Sequence, residues 1–179
     1  MFIDESGLLM APVLRRTWSP RGRCPVVLQR TRAHQKVSVI AALAIGASRR
    51  RIRLCFRMHI QRSIRSPQVV AFLRQLTGQF RGPLVIVWDR LQAHRSRLVG
   101  AWAARQQRVH FALLPPYAPE LNPVEYAWSW LKTNPLANYA PTEAPRLARV
   151  AWRHARNLQR RHALLWSFLD HTHLPFRHK

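Results

Sequence analysis

The stretch LVIVWDRLQAHRSRLVGAWAARQQRVHFALLPPYAPELNPVEYAWSWLK, residues 84–132, decides the fold class. Leu84 to Trp88 is an unbroken apolar run of strand length, and it stops on Asp89. A helix is expected from about Arg95 to Gln107, followed by a second strand from Val109 to Leu114. Pro115-Pro116-Tyr117-Ala118-Pro119 is a stiff connection. Beyond it Asn122 reads as a helix N-cap, with Pro123 at the first helical position. Val124, Ala127, Trp128 and Leu131 then form a buried stripe, leaving Glu125 at its edge in the first turn. The order strand, helix, strand, loop, helix predicts parallel strands in an α/β sheet.

Working outward, Val37 to Ile45 and Ile52 to Met58 read as an antiparallel pair joined by the turn Ser48 to Arg51. A helix should start at Ser66-Pro67, bury Val69, Val70, Phe72, Leu73 and Leu76, and stop near Gly78. At the other end, Met1 to Ile3 opens as a strand that meets Asp4, and Pro25 to Leu28 is a possible short strand. The last element is expected to be one long helix from about Thr142 to Leu169. No internal repeat and no second domain is visible, so residues 1–179 read as a single domain with a core over about 1–135 and a basic helical region over about 142–170.

Net charge is +23, with 30 Lys and Arg against 7 Asp and Glu, and the isoelectric point lies near 12.0. Charge this lopsided repels itself unless a polyanion neutralises it, and nucleic acid is the leading candidate. Lys occurs only at Lys36, Lys132 and Lys179, so Arg, whose planar fork suits phosphate oxygens, supplies the rest. A coding bias accounts for the Arg excess equally well. Cys24 and Cys55 form no CxxC pair and no disulfide framework. The apolar run Val37 to Ala47 is too short to span a bilayer, and acids stand at the N-terminus where a signal peptide carries bases. A soluble, cytoplasmic protein without a membrane partner is expected.

Against such a background each acid is informative. Asp4 and Asp89 are expected at the ends of two strands and Glu125 at a helix start, and ligands of open α/β sheets gather beyond the carboxyl ends of strands. Carboxylates brought together there repel one another unless cations bridge them. Oxygen ligands of this kind suit Mg²⁺ or Mn²⁺ in a two-metal phosphoryl-transfer site. Plainer roles stand beside this one. Asn122-x-x-Glu125 also reads as a capping box, Asp4 as a turn residue, and Asp89 as a turn after an apolar strand. Glu5 points to the face opposite Asp4, and Glu120, in the preceding loop, is the rival of Glu125.

The segments FIDESG (2–7), TWSPRG (17–22), VWDRLQAH (87–94) and LPPYAPELNPVEYAWSWLK (114–132) resemble, in that order, the catalytic domain of DDE transposases of the mariner-like superfamily, in its bacterial insertion-sequence branch. The resemblance covers residues 2 to about 135 and is most specific in the last segment. It implies a ribonuclease H-like fold, a mixed five-stranded sheet flanked by helices. It also implies Asp4, Asp89 and Glu125 as the catalytic and metal-holding acids, with two Mg²⁺ or Mn²⁺ ions expected. Asp89 and Glu125 have 35 residues between them, close to the family's spacing. Arg90 stands where many relatives carry Asn, while His94 fills the usual later His position. The helix-turn-helix module that such transposases place upstream is expected to be missing here, either because it is supplied by a separate or frameshifted product or because the element is truncated.

The resemblance further implies cleavage at transposon ends and strand transfer into target DNA at TA sites, by a nucleoid-associated homodimer. A ribonuclease H-like nuclease or resolvase, or a DNA-binding remnant without catalysis, are the other readings. For DNA contact the candidates are Arg15, Arg16, Arg21 and Arg23 with Trp18 among them, Arg90, His94, and the stripe Arg146, Arg149, Arg153, Arg156 and Arg160. The stripe recurs at steps of three and four on one helix face, which is equally the pattern of a solvated face. Trp18 serves either to stack on a base or to fill a satellite core, and His94 either to orient a strand or to cap a helix.

Overall fold

The computed structural model describes residues 1–11, 13–26 and 35–175. Five strands form one sheet: β1 (Phe2–Leu9), β2 (Lys36–Ile45), β3 (Ile52–Ile60), β4 (Leu84–Trp88) and β5 (Val109–Leu113). Their spatial order is β3-β2-β1-β4-β5, with β2 antiparallel to both β3 and β1, and β4 parallel to both β1 and β5. β2 is buried on both faces, which explains why KVSVIAALAI runs apolar at consecutive positions instead of alternating. The expected α/β class with a mixed five-stranded sheet is what forms.

Helices α1 (Ser66–Gln79) and α2 (Arg97–Ala103) cover one face, where Ile3, Ile40, Ile86 and Trp88 meet Phe72, Leu73, Leu76 and Trp102. Arg108 donates to the carbonyls of Thr77, Phe80 and Gly82, satisfying the open end of α1 and the turn after it. Helices α3 (Pro123–Thr133), α4 (Ala144–Gln159) and α5 (His162–Asp170) cover the other face, where Phe2, Val39, Ala41 and Leu54 meet Trp128, Leu131, Leu158 and Leu165. The α3 stripe of Val124, Ala127, Trp128 and Leu131 is buried as its spacing predicts. Burial of each large member contributes about 2 kcal/mol.

Four expectations are corrected. β1 extends to Leu9, so Asp4 lies inside a strand and not at its end: pairing with β2 out to Leu9–Lys36 carries Ser6 and Gly7 into the ladder despite their weak strand preference. The helix after β4 begins only at Arg97, where the Ser96 side chain accepts from the Val99 amide, and it ends at Ala103. The long C-terminal helix is two helices. At the break, the amides of Arg160 and Arg161 bond the carbonyls of Asn157 and Leu158 three residues back, and Arg161 leaves helical geometry at φ −95°, ψ 67°. The bend turns α5 onto α3, where Arg161 lies 5.8 Å over the Trp130 ring and the Tyr126 hydroxyl donates to the His171 carbonyl. The short strand read over Pro25 to Leu28 is not formed at Pro25 and Val26, and its remaining residues lie outside the described residues.

Candidate active site

Sheet register brings the first two acids together. Phe2 pairs with Val87 in the parallel β1–β4 ladder, so Asp4 and Asp89, each two residues further on, stand level on adjacent chains and on the same face. α3 is docked against this spot by side chains: Asn122 Nδ2 donates to the Ile3 carbonyl (3.2 Å), Trp128 Nε1 to Asp4 Oδ2 (2.8 Å) and Lys132 Nζ to Ser6 Oγ (2.7 Å). Asn122 also caps the helix, accepting from the Val124 amide. Its own amide donates to Pro119, so the capping box read for Asn122 and Glu125 is not closed there. Glu125 is exposed at the edge of α3.

Asp4, Asp89 and Glu125 line one cavity of about 430 Å³, walled by Leu114 and the Pro115-to-Pro119 loop. Arg90 is the one cation among the described residues that line it, and Glu120 is not part of it. Tyr117 stands on the lip, 102% exposed, with a left-handed backbone at φ 57°. Asp4 is only 8% exposed. Burial first, then the charges of Glu125 and Glu5, push its carboxyl up to about 8, while the Trp128 hydrogen bond opposes them and Asp89 adds to the rise. The three acids therefore sense one another. They do not form a ready-made cage: among the described residues no three His, Cys, Asp or Glu side chains stand together as a metal-holding group. Asp4 is tied to Trp128 and Asp89 to the His94 side, and their like charges resist closer approach. The donor set itself, three carboxyl groups offering hard oxygen, is of the kind Mg²⁺ and Mn²⁺ take once ionised.

Asp89 is the first residue beyond β4, with Oδ1 accepting from the Leu91 amide (2.9 Å) and lying 3.0 Å from His94 Nδ1. His94 Nε2 lies 2.9 Å from Glu5 Oε1, and the ring stacks on Trp88 with centroids 4.2 Å apart. Burial works to lower the His94 pKa, but the hydrogen bond and charge of Glu5, then those of Asp89, outweigh it and raise the value. A protonated ring donates to Glu5 and to the Asp89 carbonyl (3.4 Å) and pairs with the Asp89 carboxylate, so it joins the two faces of the sheet. The expectation that His94 contacts DNA is corrected, because its side chain is 2% exposed. Glu5 does point away from Asp4, as its strand position predicts, and its partner is His94. That bridge, and Trp128 as the partner of Asp4, were missed by sequence reasoning. The only signal was the alternation that sends Glu5 to the far face.

The cationic candidates are all at the surface. Arg146, Arg149, Arg153, Arg156 and Arg160 are exposed along α4, and the ion pairs found among the described residues are those of His94 alone. Arg15, Arg16, Arg21 and Arg23 are exposed, and Trp18 is 99% exposed, which removes the satellite-core alternative. Asn138 anchors this loop: its side chain accepts from the Arg15 amide and donates to the Arg15 carbonyl, both at 2.9 Å. None of these residues lines the acid cavity.

Comparison with known proteins bears on the fold and the family. Among solved structures, the Mos1 transposase paired-end complex with left transposon end is similar, with 13% identity, a TM-score of 0.66, and coverage of 94% of this chain and 50% of that one. The Mos1 mariner paired-end complex with Mn gives 13% identity and a TM-score of 0.62, covering 96% and 53%, and the complex with Mg gives 12% and 0.59, covering 96% and 52%. The chain thus spans about half the length of these structures and shares their ribonuclease H-like fold. No curated protein matches the chain in sequence. The family model for the DDE superfamily endonuclease matches residues 1–147, and the chain belongs to that family.

Proposed function

We propose that this chain is the catalytic part of a transposase, with Asp4, Asp89 and Glu125 as its acting acids. The observation that carries the reading is the meeting of these three residues, from two strands and a helix, in one cavity where the charge of each neighbouring acid raises Asp4. The three would hold one or two Mg²⁺ or Mn²⁺ ions. When bound, such ions supply Lewis-acid activation of the nucleophile and stabilise the leaving oxygen. Trp128 fixes the Asp4 carboxyl, and His94 orients Asp89. In the first reaction water adds to the phosphorus at a transposon end and the 3′-oxygen leaves as a hydroxyl. In the second, that hydroxyl attacks a target phosphodiester and displaces another 3′-oxygen, in TA sites by the resemblance. Pairing of two ends calls for two copies of the chain, and the exposed Arg stripe of α4 and the Arg15-to-Arg23 loop follow the DNA backbone.

Asp89→Asn or Glu125→Gln should abolish Mg²⁺-dependent cleavage of duplex DNA while leaving DNA binding intact or tighter, as measured by gel cleavage and by anisotropy. Full cleavage by either variant would sink the assignment. Cleavage without joining of 3′-ends to a target plasmid would favour the independent nuclease reading instead.

A further inference from the structure

β3 is an outer strand of the sheet, and α1 and α4 flank its free side from opposite faces. A cavity of about 410 Å³ lies along this edge, lined among others by Arg53, Gln79, Trp152, Arg156, Gln159 and Arg160, and no carboxylate lines it among the described residues. It is separate from the acid cavity. Leu54 and Phe56 pair with Leu43 and Ala41 of β2, which pair in turn with Phe2 and Asp4. Two strand spacings, roughly 10 Å, therefore separate this edge from the strand bearing Asp4 at the same level.

Its polar groups are arranged in advance. Arg53 lies 5.3 Å over the Phe80 ring, and Arg156 lies 5.6 Å over Trp152 while donating to Gln159 Oε1 at 2.9 Å. Gln159 in turn donates to the Leu54 carbonyl at 2.6 Å. Side chains already held in place lose less freedom when a ligand arrives. Trp152 is 52% exposed, an indole kept at the surface beside the Arg156 guanidinium. Guanidinium forks take phosphodiester oxygens, and an indole takes the face of a base that is not enclosed in a duplex. Amides such as Gln79 offer both a donor and an acceptor to a base edge.

We propose that this edge groove binds an unpaired nucleotide of a DNA strand, its phosphate among Arg53, Arg156 and Arg160 and its base against Trp152. The choice of DNA rests on the proposed function; the site itself rests on the groove. Strands freed from pairing during cleavage and transfer would supply such a nucleotide roughly two strand spacings from the strand that bears Asp4.

The test measures anisotropy of a labelled oligothymidylate of about ten nucleotides, with a duplex of equal length and heparin as comparison anions, in EDTA so that cleavage is silent. Trp152→Ala should weaken oligothymidylate binding about tenfold and leave heparin binding unchanged, while Trp152→Phe restores most of the loss. Arg156→Gln should weaken the single strand more than the duplex. Unchanged oligothymidylate binding in Trp152→Ala, or an equal loss for heparin, overturns the proposal by reducing the groove to a plain cationic surface. The two readings fail separately. A Trp152 effect that persists while Asp89→Asn cleaves normally keeps the groove and removes the catalytic assignment, and the reverse pattern removes the groove alone.

Discussion

Asp4 is the residue on which the site's electrostatics turn. Its carboxyl is pushed up to about 8, above the 3.8 of an exposed Asp, by burial and by the acids around it. Between these two values the folded chain keeps a proton that the unfolded chain has released. Stability of the metal-free protein therefore falls as pH rises across that window, and the Asp4 contribution levels off above it. His94, raised as well, acts in the same direction, whereas the Met1 ammonium, lowered to about 6, acts in the opposite one. Asp4→Asn isolates the first contribution. Urea unfolding in EDTA should show the Asn variant gaining on the wild type as pH is raised from about 5 to about 8, and parallel curves would contradict the assigned burial. Added Mg²⁺ should stabilise the wild type more than the variant, because a cation suits the ionised form of Asp4.

At the scale of elements, α3 carries the site's third acid and is held by few polar contacts. Asn122→Ala removes the helix cap and the bond to the Ile3 carbonyl together and should cost about 2 kcal/mol in urea unfolding. Asn122→Ser keeps a capping oxygen and should recover about half of the loss. Cleavage should fall in both, since Glu125 is placed by the start of this helix. Much of this element was legible: its cap, its proline and its apolar stripe are local patterns, and so are the two parallel strands on either side of α2. What escaped was decided by distant partners. Ser6 and Gly7 became strand because β2 offered a ladder, and the helix at Arg160 and Arg161 broke without a Gly or Pro because α3 offered Trp130 and Tyr126 as partners for the next segment. The bridge to Asp89 runs through Glu5 and His94, which are 89 positions apart, beyond any local pattern.

Across the whole molecule the charge is +23, and the described residues give it few internal partners, so it must meet anions from outside. Duplex DNA binding should weaken by about three orders of magnitude between roughly 50 and 200 mM salt if some six phosphates are contacted. Arg149→Gln with Arg153→Gln should lower the slope of the log–log salt plot by about two, as expected for two lost phosphate contacts. A slope unchanged by this pair would mark the α4 face as merely solvated. The sheet's open side has a different consequence. An unprotected outer strand is a template on which another chain can extend the sheet, the first step of strand-to-strand aggregation. By holding the Leu54 carbonyl, the Gln159 amide occupies a hydrogen-bonding group that an incoming strand would need. The same side chain that shapes the groove thus blunts self-association, so that crowding of many copies along one polyanion need not turn neighbouring sheets into a continuous one.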